Sequence, residues 1–219
     1  VEENTKMKNM YYPEIKEKIV KNSIILKNNK LITGVNASGK TTLIKTVLLN
    51  ILLSQQIGYG YYDKGKLKLY DKLHSYLNIP DTSNRDSLFQ AEARRCKLIL
   101  DDIILNKNKE HFCIFDELYS GTNPIEASMA GYGYLKYLNK CENVKFILTT
   151  HYLGMCNKLE KICENGSIVN NNMKAYYKNK KLVCTYKLKK GIAKVNGGVE
   201  VLKKLDYKKE IIDDAINYN

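Results

Sequence analysis

The chain has 219 residues, with 36 Lys and Arg against 23 Asp and Glu for a formal charge of +13, which is length enough for one large domain or two small ones. No apolar run reaches the roughly 20 residues of a membrane helix, the longest lying near Val47 to Leu53, and "VEENTKMKNM" has no signal-peptide core, so a soluble intracellular protein with no membrane partner is expected. The six cysteines include no C-x-x-C pair and read as reduced, and Cys156, Cys163 and His151 are too far apart along helical spacing to be expected as a zinc site.

The chain begins at Val1 and reads as part of a longer polypeptide. Residues 1–30 are polar and read as strands or an approach segment leading to the first core strand. Leu31 to Thr33 reads as a buried strand, and Thr42 to Leu53 carries apolar residues at helical spacing. Residues 58–87, "GYGYYDKGKLKLYDKLHSYLNIPDTSNRDS", show no clear period and read as a long loop. Regular elements then return: a helix over Leu88–Leu105, a strand over His111–Phe115, a helix over Ile125–Leu138, a strand over Lys145–Thr150 and a short helix over Tyr152–Leu159. "SIVNNNMKAYY" and "KLVCTYKL" flank a Lys/Asn turn and predict an antiparallel hairpin at a sheet edge. Glu200–Ile216 predicts one amphipathic helix. Alternating strands and helices give an α/β fold, a mostly parallel sheet with helices on both faces. The organisation expected is a single domain over 1–219, with the core over 31–190 and the start of a C-terminal helical segment over 191–219. The excess of Lys has two readings of equal weight, a polyanionic partner such as nucleic acid or the Lys-, Asn-, Ile- and Tyr-rich composition of an A/T-rich genome.

Between the first buried strand and its helix, Gly34-Val35-Asn36-Ala37-Ser38-Gly39-Lys40-Thr41 fits G-x-x-x-x-G-K-[ST]. Glycines in that pattern let backbone N–H groups curl around phosphate oxygens, the lysine supplies a point charge and the threonine a hydroxyl for Mg²⁺. Gly34, Asn36, Ala37, Ser38, Gly39, Lys40, Thr41 and Thr42 are therefore the candidate phosphate cradle. "HFCIFDELYSGTNP" places Asp116 and Glu117 at the C-terminal end of a buried strand, where ligands of open α/β sheets bind. Asp116, with Thr41, is the candidate Mg²⁺ holder, and Glu117 the candidate base for an attacking water. The next strand ends in Thr149-Thr150-His151, which puts an imidazole near the γ-phosphate. Glu117, His151 and Lys40 are the candidate catalytic groups, with ATP and Mg²⁺ as cofactors.

"TGVNASGKTT", "SQQIG", "RDSLFQAEARRCKLILDDI", "FDELYSGTNP", "TTHYLGMC" and "YKLKKGIAKVNGGVEVLKKL" follow one another as in the ATPase domain of the MutS family of DNA mismatch-repair proteins, which the chain resembles over nearly its whole length. The wording is most similar to MutS-like proteins of large DNA viruses, which would place the protein in a host cytoplasm or nucleus. The resemblance implies a P-loop NTPase fold of the ABC-ATPase-like type and a homodimer around two composite ATP sites, acting on DNA through domains outside this chain. It implies that Asn36 contacts the γ-phosphate, that Gln56 belongs to a loop between nucleotide and metal, and that Ser87 is offered to the partner subunit's ATP. Asn22 falls at the family's Asn position in the approach segment. The family's adenine sandwich, an aromatic residue before the P-loop and a histidine on the hairpin, falls here on Ile19 and Asn172. Its Ser-Tyr-Gly falls on Asn196-Gly197-Gly198.

Two other readings share the P-loop and acidic pair. An ABC or SMC type motor would carry an L-S-G-G-Q-like helix start, where this chain has Asp86-Ser87-Leu88-Phe89-Gln90-Ala91-Glu92. A nucleotide-gated binding module with little turnover has no need of Glu117.

Overall fold

The chain opens with two short strands, β1 (Lys6–Met10) and β2 (Asn22–Ile25), before β3 (Asn29–Thr33) leads to helix α1 (Lys40–Ile57). There follow β4 (Lys64–Lys66), β5 (Lys72–Tyr76), α2 (Leu88–Leu105), β6 (His111–Asp116), α3 (Pro124–Leu138), β7 (Val144–Thr150) and α4 (Leu153–Ile162). A hairpin, β8 (Ile168–Lys178) and β9 (Lys181–Lys190), and two helices, α5 (Gly198–Lys204) and α6 (Lys209–Asn217), complete the order. The structure, a computed structural model, describes residues 3–77, 87–163, 166–179, 181–195 and 197–217. Asn196 and residues 78–86 of the expected loop lie outside these.

Among the described residues the main sheet has six strands in the order β5-β6-β7-β3-β8-β9. The first five run parallel and β9 alone returns antiparallel against β8, so the expected α/β class and edge hairpin are observed. Successive side chains of a strand face opposite sides, and the core divides accordingly. Phe112 and Ile114 join Ile32, Ile147 and the α1 residues Leu43, Ile44, Val47 and Ile51 on one face. Cys113 and Phe115 join Leu31, Phe146 and Leu148 with residues of α2, α3 and α4 on the other. Because α1 buries most of its length against the sheet and the small sheet β2-β1-β4, it needs no strongly polar face. It ends at Gly58, whose φ of 75° lets its N–H cap Ser54.

Two expectations are corrected. The long loop contains β4 and β5. β4 is exposed along its whole length and exists by backbone pairing with β1. β5 alternates polar residues onto a face that packs on α2, so its pattern is not apolar, and its ladder to β6, from Lys72 opposite His111 to Tyr76 opposite Phe115, makes it a strand. The predicted helix Glu200–Ile216 is two helices, with Asp206 in the break at φ 52°.

Register fixes what meets at each end of the sheet. Thr33 pairs with Thr150, and Asp116 with Thr149, so the P-loop, the acidic pair and His151 leave adjacent strands at the same edge. At the opposite edge the nearly parallel His74 and His111 rings meet edge to edge, with centroids 5.3 Å apart and Nε2 to Nδ1 3.0 Å. Burial, helped by the neighbouring His111, pushes the His74 pKa down to about 4, so this imidazole is neutral at ordinary pH.

Candidate active site

The loop after β3 is shaped by backbone geometry. Gly39 has φ 92° and a Cβ there would meet the Tyr186 ring at 3.2 Å, while Ala37 also takes the left-handed region at φ 58°. Alternating hands of this kind turn successive N–H groups into one concavity. Helix α1 has no side-chain cap and no acidic residue in its first turn. Its first N–H groups and the positive end of its dipole thus face the loop. Ser38 Oγ is buried there without a hydrogen-bond partner. Donors gathered without acceptors suit a phosphate chain.

Lys40 is buried, and its Nζ lies 3.1 Å from Gly34 O, 2.9 Å from His151 Nε2 and 3.5 Å from Glu117 Oε1. His151 Nε2 lies 3.1 Å from the same Glu117 oxygen. With its proton on Nε2 the ring donates to Glu117, and without it the same nitrogen accepts from Lys40. The His151 hydrogen bond, reinforced by the Lys40 charge against the opposing effect of burial, holds the Glu117 carboxyl below its usual range. Burial lowers the Lys40 pKa, and the nearby Glu117 carboxylate resists that shift. Glu117 itself sits at φ 54°, its N–H bonded to Thr149 O at 3.0 Å, which aims the carboxylate back across the sheet end. Beside it, the Thr41 hydroxyl donates to Asp116 Oδ2 at 2.8 Å and the Thr149 hydroxyl donates to Asp116 Oδ1.

Sequence reading passed over Glu92. This carboxylate is 2 % exposed and accepts from Ser120 N, Ser120 Oγ and Gly121 N at 2.8 to 3.0 Å, fixing the turn that follows the acidic pair. Its signal was legible: with Cys96, Ile99 and Ile103 it lies on the buried stripe of α2, where an ion needs partners.

A cavity of about 560 Å³ runs from the P-loop to the approach segment, lined by Tyr12, Ile15, Ile19, Asn36, Lys40 and Tyr186 among others. Ile19 lines this cavity, whereas Asn172 does not and donates to Gly191 O and Lys190 O. The hairpin meets the cavity at Met173 of β8 and at Tyr186, the latter carried by a bulge in β9 between the pairs Met173–Leu188 and Ala175–Cys184 and held at φ 56°. Bulges of this sort re-aim side chains. Asn22 pins it, donating to Tyr186 O at 2.9 Å and accepting from Leu188 N at 2.8 Å.

Two expected residues stand apart. Gln56 is exposed in the last turn of an 18-residue helix whose first residue is Lys40, about 27 Å of helix in all. Its neighbour Gln55 makes the contacts, clasping the Tyr70 backbone at 2.9 and 3.1 Å. Ser87 is exposed and caps α2, accepting from Gln90 N at 3.3 Å, outside the P-loop cavity of its own chain. Cys156 is fully buried and forms no cluster with His151 and Cys163 among the described residues.

A strand, phosphate loop and helix, with an acidic pair ending a parallel strand two places away in the same sheet, define the class of P-loop ATPase-like proteins. A family profile described as MutS domain V matches residues 30–219, and the chain belongs to the MutS family. It is 29% identical over 216 residues to the DNA mismatch repair protein MutS of Persephonella marina, covering 95% of this chain and 24% of that relative. The corresponding protein of Fusobacterium nucleatum is 30% identical over 198 residues, 89% of this chain and 21% of its own length. Endonuclease MutS2 of Finegoldia magna is 30% identical over 217 residues, 95% of this chain and 26% of its own. The chain spans about a quarter of the length of these curated relatives. Among the described residues no helix is long and apolar enough to cross a membrane.

Proposed function

We propose that this chain binds and hydrolyses ATP with Mg²⁺, as the ATPase module of a MutS-like mismatch-repair protein that pairs around two composite sites and acts on DNA through domains outside these residues. The observation that carries this is the convergence of Lys40, Glu117 and His151 within 3.5 Å of one another at the mouth of the P-loop. Gly34, Asn36, Ala37, Ser38, Gly39 and Thr42 line the phosphates' path and Lys40 supplies the charge. Thr41 and Asp116 offer hard oxygen donors 2.8 Å apart, a set that suits Mg²⁺. Bound there, the ion would neutralise charge developing on the transferred phosphoryl group.

Glu117, ionised through its lowered pKa, orients a water and takes its proton; His151 holds that carboxylate in place. When phosphates enter, Lys40 exchanges its contacts with Gly34 O and Glu117 for phosphate oxygens, which frees the Glu117 carboxylate for water. Replacing Glu117 by Gln keeps size and hydrogen bonding but removes the base. ATP should still bind and turnover should fall by about 100-fold or more. Turnover within a few-fold of the parent would overturn the assignment.

The exposed Ser87 cap bears on the dimer. If it completes the partner's site, Lys40→Ala and Ser87→Arg chains are each inactive as homodimers, but their mixture contains intact composite sites. Random pairing should restore roughly a quarter of parental activity at concentrations that populate the dimer. A mixture as inactive as its components would overturn the composite site.

A further inference from the structure

At the sheet edge opposite the nucleotide cavity stands a cluster with no part in the proposed function. His74 comes from β5, His111 from β6 and Asp102 from the last turns of α2. His74 Nε2 lies 3.0 Å from His111 Nδ1 and 3.7 Å from Asp102 Oδ2, and one ligand atom from each residue falls within 4.8 Å of the other two. We propose that these three side chains bind a divalent transition-metal ion of the Zn²⁺ type, with a fourth position left to water, and that the ion clips α2 to the edge of the sheet.

The spacing fits. Around a tetrahedral Zn²⁺ with bonds of about 2.0–2.1 Å, neighbouring ligand atoms lie about 3.3 Å apart; the two separations from His74 bracket that value, and the His111–Asp102 separation, within 4.8 Å, would close as the partly exposed carboxylate turns onto the ion. The supporting contacts fit as well. His111 Nε2 lies 3.0 Å from Asn106 O, an N–H donation that fixes the tautomer and leaves the Nδ1 lone pair facing His74. Asp102 Oδ1 is held by Asn106 Nδ2 at 2.8 Å and Lys72 Nζ at 3.3 Å, which leaves Oδ2 turned toward His74. Thus each of these two ligands has its second polar atom occupied and its first one aimed inward. Two imidazoles and one carboxylate select Zn²⁺, Co²⁺ or Ni²⁺ over Mg²⁺ and Ca²⁺. His111 is fully buried and His74 nearly so, while Asp102 is partly exposed and provides the way in. The same α2 carries Ser87 and Glu92, so a clip at its far end would order the helix that joins the turn after Glu117. In the competing arrangement His74 Nε2–H simply donates to His111 Nδ1, and the protein has no use for a metal.

The test is a Co²⁺ titration of the chelator-treated, dialysed protein, with Zn²⁺ competition and thermal melts. One equivalent of Co²⁺ should give visible d–d absorption of tetrahedral intensity without a near-ultraviolet thiolate band, and Zn²⁺ should displace it and raise Tm. His74→Gln and Asp102→Asn should each weaken the metal at least tenfold, and His151→Ala should leave it in place. Asp102→Asn, on the partly exposed helix surface, keeps the Asn106 contact and tests the site even if the His74 variant does not fold. No visible band, a thiolate band, or binding that survives both ligand variants or is lost with His151→Ala would overturn the proposal. None of these outcomes bears on ATP hydrolysis, so the two readings stand or fall separately.

Discussion

The cavity at the P-loop, the proposed nucleotide site, has two halves made by different means. Its phosphate half is built where three parallel core strands end, and each group there is held by neighbours close in the fold's register: Thr41 and Thr149 on Asp116, His151 and Lys40 on Glu117. Its other half is assembled from the approach segment and a bulge in the last strand, tied together by Asn22 across 164 residues of chain. The first half rests on the rigid sheet. The second rests on two hydrogen bonds made by Asn22, a third from Lys187 Nζ to Lys21 O at 2.7 Å, and a tyrosine in left-handed backbone. We expect the phosphate half to set whether nucleotide binds and the other half to set which base is preferred.

The largest break of this comparison is Lys40→Ala. It removes a buried, charge-assisted contact worth about 1.5 to 3 kcal/mol, and ATP, GTP and inorganic triphosphate should all weaken by more than tenfold. Calorimetry on the folded variant checks this, and unchanged affinity would defeat the phosphate-cradle reading.

A smaller effect is expected at Tyr186. Stacking of a base on an aromatic ring is worth about 1 to 3 kcal/mol, and the half-exposed Tyr186 belongs at the low end. Tyr186→Ala should weaken ATP about fivefold and leave inorganic triphosphate unchanged. Asn22→Ala, which only loosens the bulge, should follow the same pattern more weakly. Equal losses for ATP and triphosphate would merge the two halves into one.

The same division governed what could be read from sequence. The phosphate half is made of short continuous motifs, so Gly34 to Thr42, Asp116, Glu117 and His151 were all legible, and periodicity gave the strands that carry them. Ile19 lines the cavity, and Asn172 does not: the hairpin meets it at Met173 and at Tyr186, which a bulge in β9 re-aims and no local pattern announces. Strand β5 was hidden for a related reason: its inward positions include Lys72 and His74, whose polar contacts lie on β6 and α2. Gln56 shows the converse, a motif position that the length of α1 carries to the far end of the helix from the P-loop.

The smallest predicted effect refines the phosphate half by separating its charges. Glu117 must be ionised to act as a base, and its folded pKa is lowered first by the His151 hydrogen bond and then by Lys40, with burial opposing. A carboxylate of this kind keeps its charge below the usual range and loses activity only as pH falls through its lowered value. Removing the imidazole with His151→Ala takes away the largest downward influence and leaves burial opposed by Lys40 alone. The Glu117 pKa must therefore rise, and the acid limb of the pH profile of kcat/KM, which reports the free enzyme, should move to higher pH. A contact from His151 to phosphate alone would change KM or kcat at every pH without moving that limb. A limb that stays in place in the variant would show that His151 does not act through Glu117.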